Sequence, residues 1–212
     1  MQSSLPVLVL LAGPNGAGKT SFYEWHLQRL GLPFVNADLI AREVFGNQRP
    51  ETAVEAAKIA EDRRQRMVAE KRSFIFETVL SDPVGAKVQF CARARDAGYF
   101  VDAHFIGLAS AALSQARVIH RVANGGHDVP DEKIVSRFGR VLANLGRLIP
   151  VANRLAIYDN SEIDRPHRPI ALFENGVLRE LSAEIPAWLD HFDLPSRVTP
   201  PSRATPETTR HA

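Results

Sequence analysis

Eight consecutive residues, Gly13-Pro14-Asn15-Gly16-Ala17-Gly18-Lys19-Thr20, place glycines, one lysine and one hydroxyl at the spacing G-x-x-x-x-G-K-[ST]. Such a loop suits a polyphosphate: a glycine-rich backbone can turn its N–H groups inward, the helix that follows adds its N-terminal dipole, and the lysine is one fixed cation. Gly13, Gly16 and Gly18 allow the curl, with Pro14, Asn15 and Ala17 between them. Lys19 is expected at the β- and γ-phosphates and Thr20 at Mg²⁺, with Ser21 completing the set. The implied ligand is a nucleoside triphosphate, ATP or GTP. At average residue usage the octet arises by chance in about one chain in a hundred of this length.

Two carboxylates follow apolar runs. Asp38, in Asn36-Ala37-Asp38, is suited to orient an accepting hydroxyl and take its proton, or alternatively to cap the helix that follows. Glu77, with Thr78 beside it, could bind substrate hydroxyls or a metal-bound water. Arg117, Arg121, Arg137 and Arg140 bracket a loop at 124–131, and planar guanidinium groups suit the charge that spreads over a transferring phosphoryl group. Arg121 and Arg137, nearest the loop on either side, are the expected pair; a glycine-hinged helical lid carrying them would exclude water.

These residues need a frame that delivers strand ends to one edge. Apolar runs at 7–11, 33–36, 74–77, 100–106, 155–158 and 170–173 alternate with helical patterns, among them 21–30, 51–71, 110–123 and 131–148. That alternation predicts an α/β chain: a mostly parallel sheet flanked by helices in three layers, the P-loop NTPase fold, with the ligand crevice at the carboxyl ends of the strands. Asn175-Gly176 reads as a tight turn between β-type runs. The expected domain covers residues 1–194, and the Pro-, Thr- and Ser-rich stretch 195–212 reads as a disordered tail.

Composition narrows the classes. With 212 residues and 45% apolar content the chain can bury one sizeable core. Its net charge of +2, from 26 basic and 24 acidic residues, creates no global field toward nucleic acid or membrane, so anion binding must be local. Near-neutral charge and 8% aromatics argue against a strand-tracking polynucleotide kinase. The single Cys91 excludes an internal disulfide and reads as a packed core thiol; no leader or long apolar span is evident, so the cytoplasm is the expected location. Neither a guanine-reading N-K-x-D motif nor a transporter L-S-G-G-Q signature is present, although Asp82-Pro83-Val84-Gly85 fits the loose D-x-x-G pattern. A small-molecule kinase is the reading that remains, with a nucleotide-binding switch as its rival.

Taken together, the octet with Ser21, Asn36-Ala37-Asp38, Phe76-Glu77-Thr78-Val79-Leu80-Ser81, the stretch from Arg121 through Gly125-Gly126-His127-Asp128-Val129-Pro130 to Arg137, and Tyr158-Asp159-Asn160-Ser161 resemble the zeta toxin family of phosphate-loop kinases. Characterised members phosphorylate UDP-N-acetylglucosamine on its sugar. The resemblance implies that Lys19 and Thr20 bind phosphate and Mg²⁺, that Asp38 is the base, that Glu77 with Thr78 binds the sugar, and that Arg121 and Arg137 stabilise the transferring group. It puts 158–161 near the adenine. The chain is shorter than the archetypal toxins and has Glu-Thr-Val-Leu-Ser at 77–81 where those have an acid followed by Gly-Thr, so it is similar to a compact bacterial branch. Any antitoxin is then a separate polypeptide.

Overall fold

The computed structural model describes residues 5–46, 49–123, 130–190 and 192. The proposed tail 195–212 and the loop 124–129, with His127, lie outside the described residues.

Val7–Ala12 (β1) is apolar at all six positions and buried from Leu8 onward, the pattern of a central parallel strand covered on both faces. It pairs in parallel with Phe74–Thr78 (β3) and Phe100–Gly107 (β4). Phe34–Val35 (β2) extends the sheet beyond β3, and Arg154–Asp159 (β5) lies parallel to β4. Arg168–Glu174 (β6) and Val177–Leu181 (β7) then add antiparallel, joined through Asn175 and Gly176, both at positive φ. The order is β2-β3-β1-β4-β5-β6-β7. This is a mostly parallel seven-stranded sheet flanked by helices, a P-loop NTPase-like fold.

Alternation along each strand splits the core into two layers. Leu8, Leu10, Phe74, Phe76, Ala103 and Phe105 pack with residues of Pro50–Ala69 (α3), Ala86–Asp96 (α4) and Asp131–Leu148 (α6). Val9, Leu11, Ile75 and Ile106 face the other way, against Phe22, Leu27 and Leu113. Cys91 is fully buried in the first layer, where burial pushes its thiol up to about 12, as expected of an inert core residue.

Two local details differ from expectation. The helix expected at 21–30 begins at Lys19 (α1, Lys19–Phe22) and changes pitch twice, through a π turn at Tyr23–Leu27 and a 3₁₀ turn at Gln28–Leu30. The α3 helix is rich in charged residues, yet Ala56, Ala60 and Arg64 form an i, i+4, i+8 stripe turned inward, with Arg64 only 4% exposed. No helix among the described residues is long and apolar enough to cross a membrane.

Candidate functional site

Register brings the chemistry together. Ala12 pairs with Thr78 and Val35 with Phe76, so the loop after β1, the residues after β2 and the end of β3 meet at one edge. There the loop is held against its neighbours at contact distance. Gly13 has φ 148°, and a Cβ on it would sit 2.2 Å from the Ile106 carbonyl oxygen. Gly18 has φ 84°, and its Cβ would sit 2.4 Å from Asn160 Nδ2. Only glycine fits either position.

Lys19 is 7% exposed. Its Nζ donates to the carbonyl oxygens of Gly13 and Pro14 at 3.0 and 2.9 Å and lies 3.7 Å from Glu77 Oε1. Burial lowers its pKa, against the raising fields of Glu77 and Asp38, while the Arg121 charge lowers it further. Burial likewise raises the Glu77 carboxyl; Lys19 opposes this, Asp38 adds to it, and a hydrogen bond from Asn36 opposes it. In both groups burial is the largest influence and the charge of the partner opposes it.

Asn36 organises the second strand end. Its Oδ1 accepts from the backbone N–H groups of Asp38 and Leu39 at 2.7 and 3.1 Å, capping Ala37–Phe45 (α2), while its Nδ2 donates to Glu77 Oε2 at 2.8 Å. The alternative role considered for Asp38, capping that helix, therefore belongs to Asn36. Asp38 lies in the first turn and lines the cleft.

The cleft above the loop encloses about 610 Å³. Asn15, Gly16, Ala17, Gly18, Lys19, Thr20 and Ser21 form one side, Asp38 and Glu77 another, and Arg117 and Arg121 of Ala111–Ala123 (α5) a third. Tyr23 and Phe34, stacked at 3.9 Å, line its far end with Arg42. Gly13 and Pro14 underlie Lys19 rather than line the cleft. A second cleft of about 310 Å³ adjoins it, sharing Asn36, Asp38, Glu77 and Val79, and Thr78 and Arg137 line only this second one. Arg121 and Arg137, paired in the sequence reading, thus stand on opposite sides of the Asp38–Glu77 wall. Thr78 Oγ1 accepts from Leu80 N–H at 3.1 Å.

Neighbouring residues hold this frame. Arg140 Nε donates to Ser81 O, and Asn144 Nδ2 donates to Leu80 O and Asp82 O, pinning a segment in which buried Leu80 adopts φ 61°. Arg140 therefore clamps a loop. Arg117 Nη2 donates to Ser161 O at 3.2 Å; burial lowers its pKa against the field of Asp159. Asn160 Nδ2 donates to Ala17 O and its Oδ1 accepts from His167 N–H. His167 Nε2 lies 3.3 Å from Gly18 O, and because a carbonyl only accepts, Nε2 carries the hydrogen. Burial lowers the His167 pKa; the Gly18 carbonyl opposes this, and His26 and Arg117 reinforce it. Nothing in the sequence around His167 marks it, because its partner is 149 positions away.

The arrangement fits a nucleoside triphosphate: a loop that tolerates no side chain at its turns, a buried lysine, and arginines across the opening. It also fits Mg²⁺, a hard cation that keeps several waters and takes few protein oxygens, since the Thr20 hydroxyl and the two carboxylates line the same cleft. Among the described residues no group of three or more His, Cys, Asp and Glu is placed to hold a metal ion.

Comparison with known proteins agrees with this geometry. An uncharacterised protein of Haemophilus influenzae is 24% identical over 131 residues, 61% of this chain and 91% of that protein. A structure from the PezAT chromosomal toxin–antitoxin system of Streptococcus pneumoniae superposes with TM-score 0.58 at 18% identity, covering 81% of this chain and 72% of that one. A complex of AvrRxo1-ORF1 and -ORF2 with ATP superposes with TM-score 0.64 at 18% identity, covering 83% of this chain; the match spans only 60% of that longer chain. The two structural likenesses show a shared fold. Residues 8–143, from the first buried strand through the helix that carries Arg137 and Arg140, match the AAA domain family model, and the chain belongs to that family.

Proposed function

We propose that this chain is an ATP-dependent small-molecule kinase that transfers the γ-phosphate to a hydroxyl of a nucleotide sugar, such as UDP-N-acetylglucosamine, or of a similar small metabolite. The observation that carries the reading is the wall of Asp38 and Glu77 facing Lys19 and Thr20 across one cleft and opening into a second on its other side. A donor site backed by an acceptor-sized space, with a carboxylate between, is what phosphoryl transfer to an alcohol requires.

In this reading the loop residues 13–21 bind the triphosphate, with Lys19 leaving the Gly13 and Pro14 carbonyls for the β- and γ-phosphates. Thr20 would hold Mg²⁺, which when bound neutralises phosphate charge. The Asp38 carboxylate takes the proton of the accepting hydroxyl. That oxygen forms a bond to the γ-phosphorus as the bond from phosphorus to the β–γ bridging oxygen breaks, and ADP departs. Arg121 stabilises charge from the donor side and Arg137 from the acceptor side. Glu77 and Thr78 orient the acceptor. The likeness to a toxin–antitoxin structure supports a separate antitoxin polypeptide as partner.

Incubation with labelled ATP, Mg²⁺ and a metabolite extract, with UDP-N-acetylglucosamine tested separately, followed by mass spectrometry, checks the proposal. A phosphate-shifted small molecule is expected. Production of ADP and free phosphate alone would overturn it in favour of a nucleotide-hydrolysing switch.

A further inference from the structure

Two of the three cations on the smaller cleft, Arg64 and Lys87, have no part in the proposed transfer step, and they stand beside Arg137, which does. Arg64 reaches it from α3, Lys87 from α4 and Arg137 from α6. Arg64 lies over the rings of Phe76 and Phe90, 5.3 and 5.8 Å from their centroids, and its buried Nε has no hydrogen-bond partner. Its Nη2 and the Nζ of Lys87 converge on the same oxygen of Glu61, Lys87 at 2.7 Å. Burial alone would raise the Glu61 carboxyl, but hydrogen bonds from Lys87 and Arg64 hold it at about 2. One carboxylate is thus shared by two cations. Arg137 has no hydrogen bond or ion pair among the described residues; its half-burial lowers its pKa and the nearby Arg140 charge lowers it further.

Arg64, Lys87 and Arg137 line the cleft together with Asp38 and Glu77; behind the lining Glu61 accepts from both Arg64 and Lys87, and Glu77 lies beside Lys19. Among the described residues, positive charge is therefore in excess at the α3–α4–α6 end, and the carboxyls of Asp38 and Glu77 stand at the other. A buried guanidinium N–H with no acceptor and a half-buried arginine with no counter-ion among the described residues both point to a missing anion. The polarity across the cleft suits a ligand with an acidic group at one end and a hydroxyl at the other.

We infer that Arg64, Lys87 and Arg137 form an anion subsite that seats a phosphate group of the acceptor and thereby turns its hydroxyl toward Asp38. The inference rests on the kinase reading for the word acceptor, but the subsite itself can be tested by binding alone. The phosphate could belong to a simple sugar phosphate or to the diphosphate of a nucleotide sugar, and the recognising chemistry is the same.

The decisive experiment is calorimetric titration of the full chain after its loop has been filled with a non-hydrolysable ATP analogue and Mg²⁺. The probes are inorganic phosphate, N-acetylglucosamine 1-phosphate, UDP-N-acetylglucosamine and neutral N-acetylglucosamine. Inorganic phosphate and at least one phosphorylated sugar should bind, with the neutral sugar at least about tenfold weaker. Tight binding of the 1-phosphate identifies a sugar phosphate, and binding of the nucleotide sugar alone among the sugars identifies its diphosphate. Lys87→Met should weaken phosphate about fivefold or more, Lys87→Arg should restore it, and affinity for the ATP analogue should stay within about twofold. Arg64→Met should act in the same direction, and Lys87, being partly exposed, supplies the variant that keeps the fold. Phosphate binding that is absent, or equal in wild type and Lys87→Met, overturns the subsite. If phosphate binds but no acceptor is ever phosphorylated, the subsite stands and the kinase reading falls.

Discussion

Asn36 donates to Glu77 across 2.8 Å and so ties the end of β2 to the end of β3, while its other side-chain atom caps α2. One amide thus positions both carboxylates, holding Glu77 directly and setting Asp38 in the first helical turn. Asn36→Ala should remove the cap, worth about 1 kcal/mol, and leave buried Glu77 short of a donor, about 1–3 kcal/mol more. Thermal unfolding should fall by roughly 5–10 °C. Asn36→Asp keeps the cap but sets an acid against Glu77. Because burial already raises Glu77 above its unfolded value, its contribution to stability is full in acid and is lost as pH rises through the folded pKa. The deficit of Asn36→Asp should therefore widen from pH 4 to pH 8 in denaturant titrations.

Asp38→Ala should lower transfer about 10²–10⁴-fold while ATP affinity changes little, as measured by single-turnover kinetics beside a binding titration. Equal transfer by the variant would remove Asp38 as the base.

The two arginines separate by cleft. Arg121→Ala should weaken use of ATP, and Arg137→Ala should raise KM for the acceptor at saturating ATP, because of the two only Arg121 lines the cleft above the loop and only Arg137 lines the adjoining cleft proposed for the acceptor. Identical kinetic signatures from the two variants would contradict that division.

Gly18 and Gly31 share positive φ but not surroundings. Gly18→Ala forces a Cβ within 2.4 Å of Asn160 Nδ2 and should abolish nucleotide binding. Gly31, with φ 63° and open space around it, should cost only about 1 kcal/mol of backbone strain on substitution by Ala, with nucleotide affinity unchanged. Denaturation midpoints and nucleotide titrations compare them.

Glu61 is held down to about 2 by Lys87 and Arg64. A carboxyl whose folded pKa lies below its unfolded value stabilises above the unfolded value and loses that contribution as pH falls through the folded one. Glu61→Gln should therefore be destabilised most near pH 7, with the gap to wild type closing between about pH 4.5 and pH 2. Melting temperature against pH reads this out.

Local sequence carried much of the design. The Gly13–Thr20 octet, the apolar runs that became the strands and the carboxylates just after two of them are contiguous patterns whose spacing reflects short-range sterics. Asn175-Gly176 announced its turn for the same reason, since both residues tolerate positive φ. Helices α5 and α6 could be bounded closely because glycines and a proline interrupt the period between them.

Tertiary structure decided what those patterns do together. Which residue caps α2 depended on Asn36 also meeting Glu77, 41 positions away. Arg64 looks like any charged residue of a helix until packing turns it inward over Phe76 and Phe90, and His167 acquires meaning only when β6 brings it beneath Gly18. Likewise Arg121 and Arg137 look equivalent on either side of a loop, and only the sheet mouth puts a carboxylate wall between them. Phosphate-loop chemistry is written in backbone conformation and is local. Acceptor chemistry is written in side chains from several elements, whose convergence no single segment encodes.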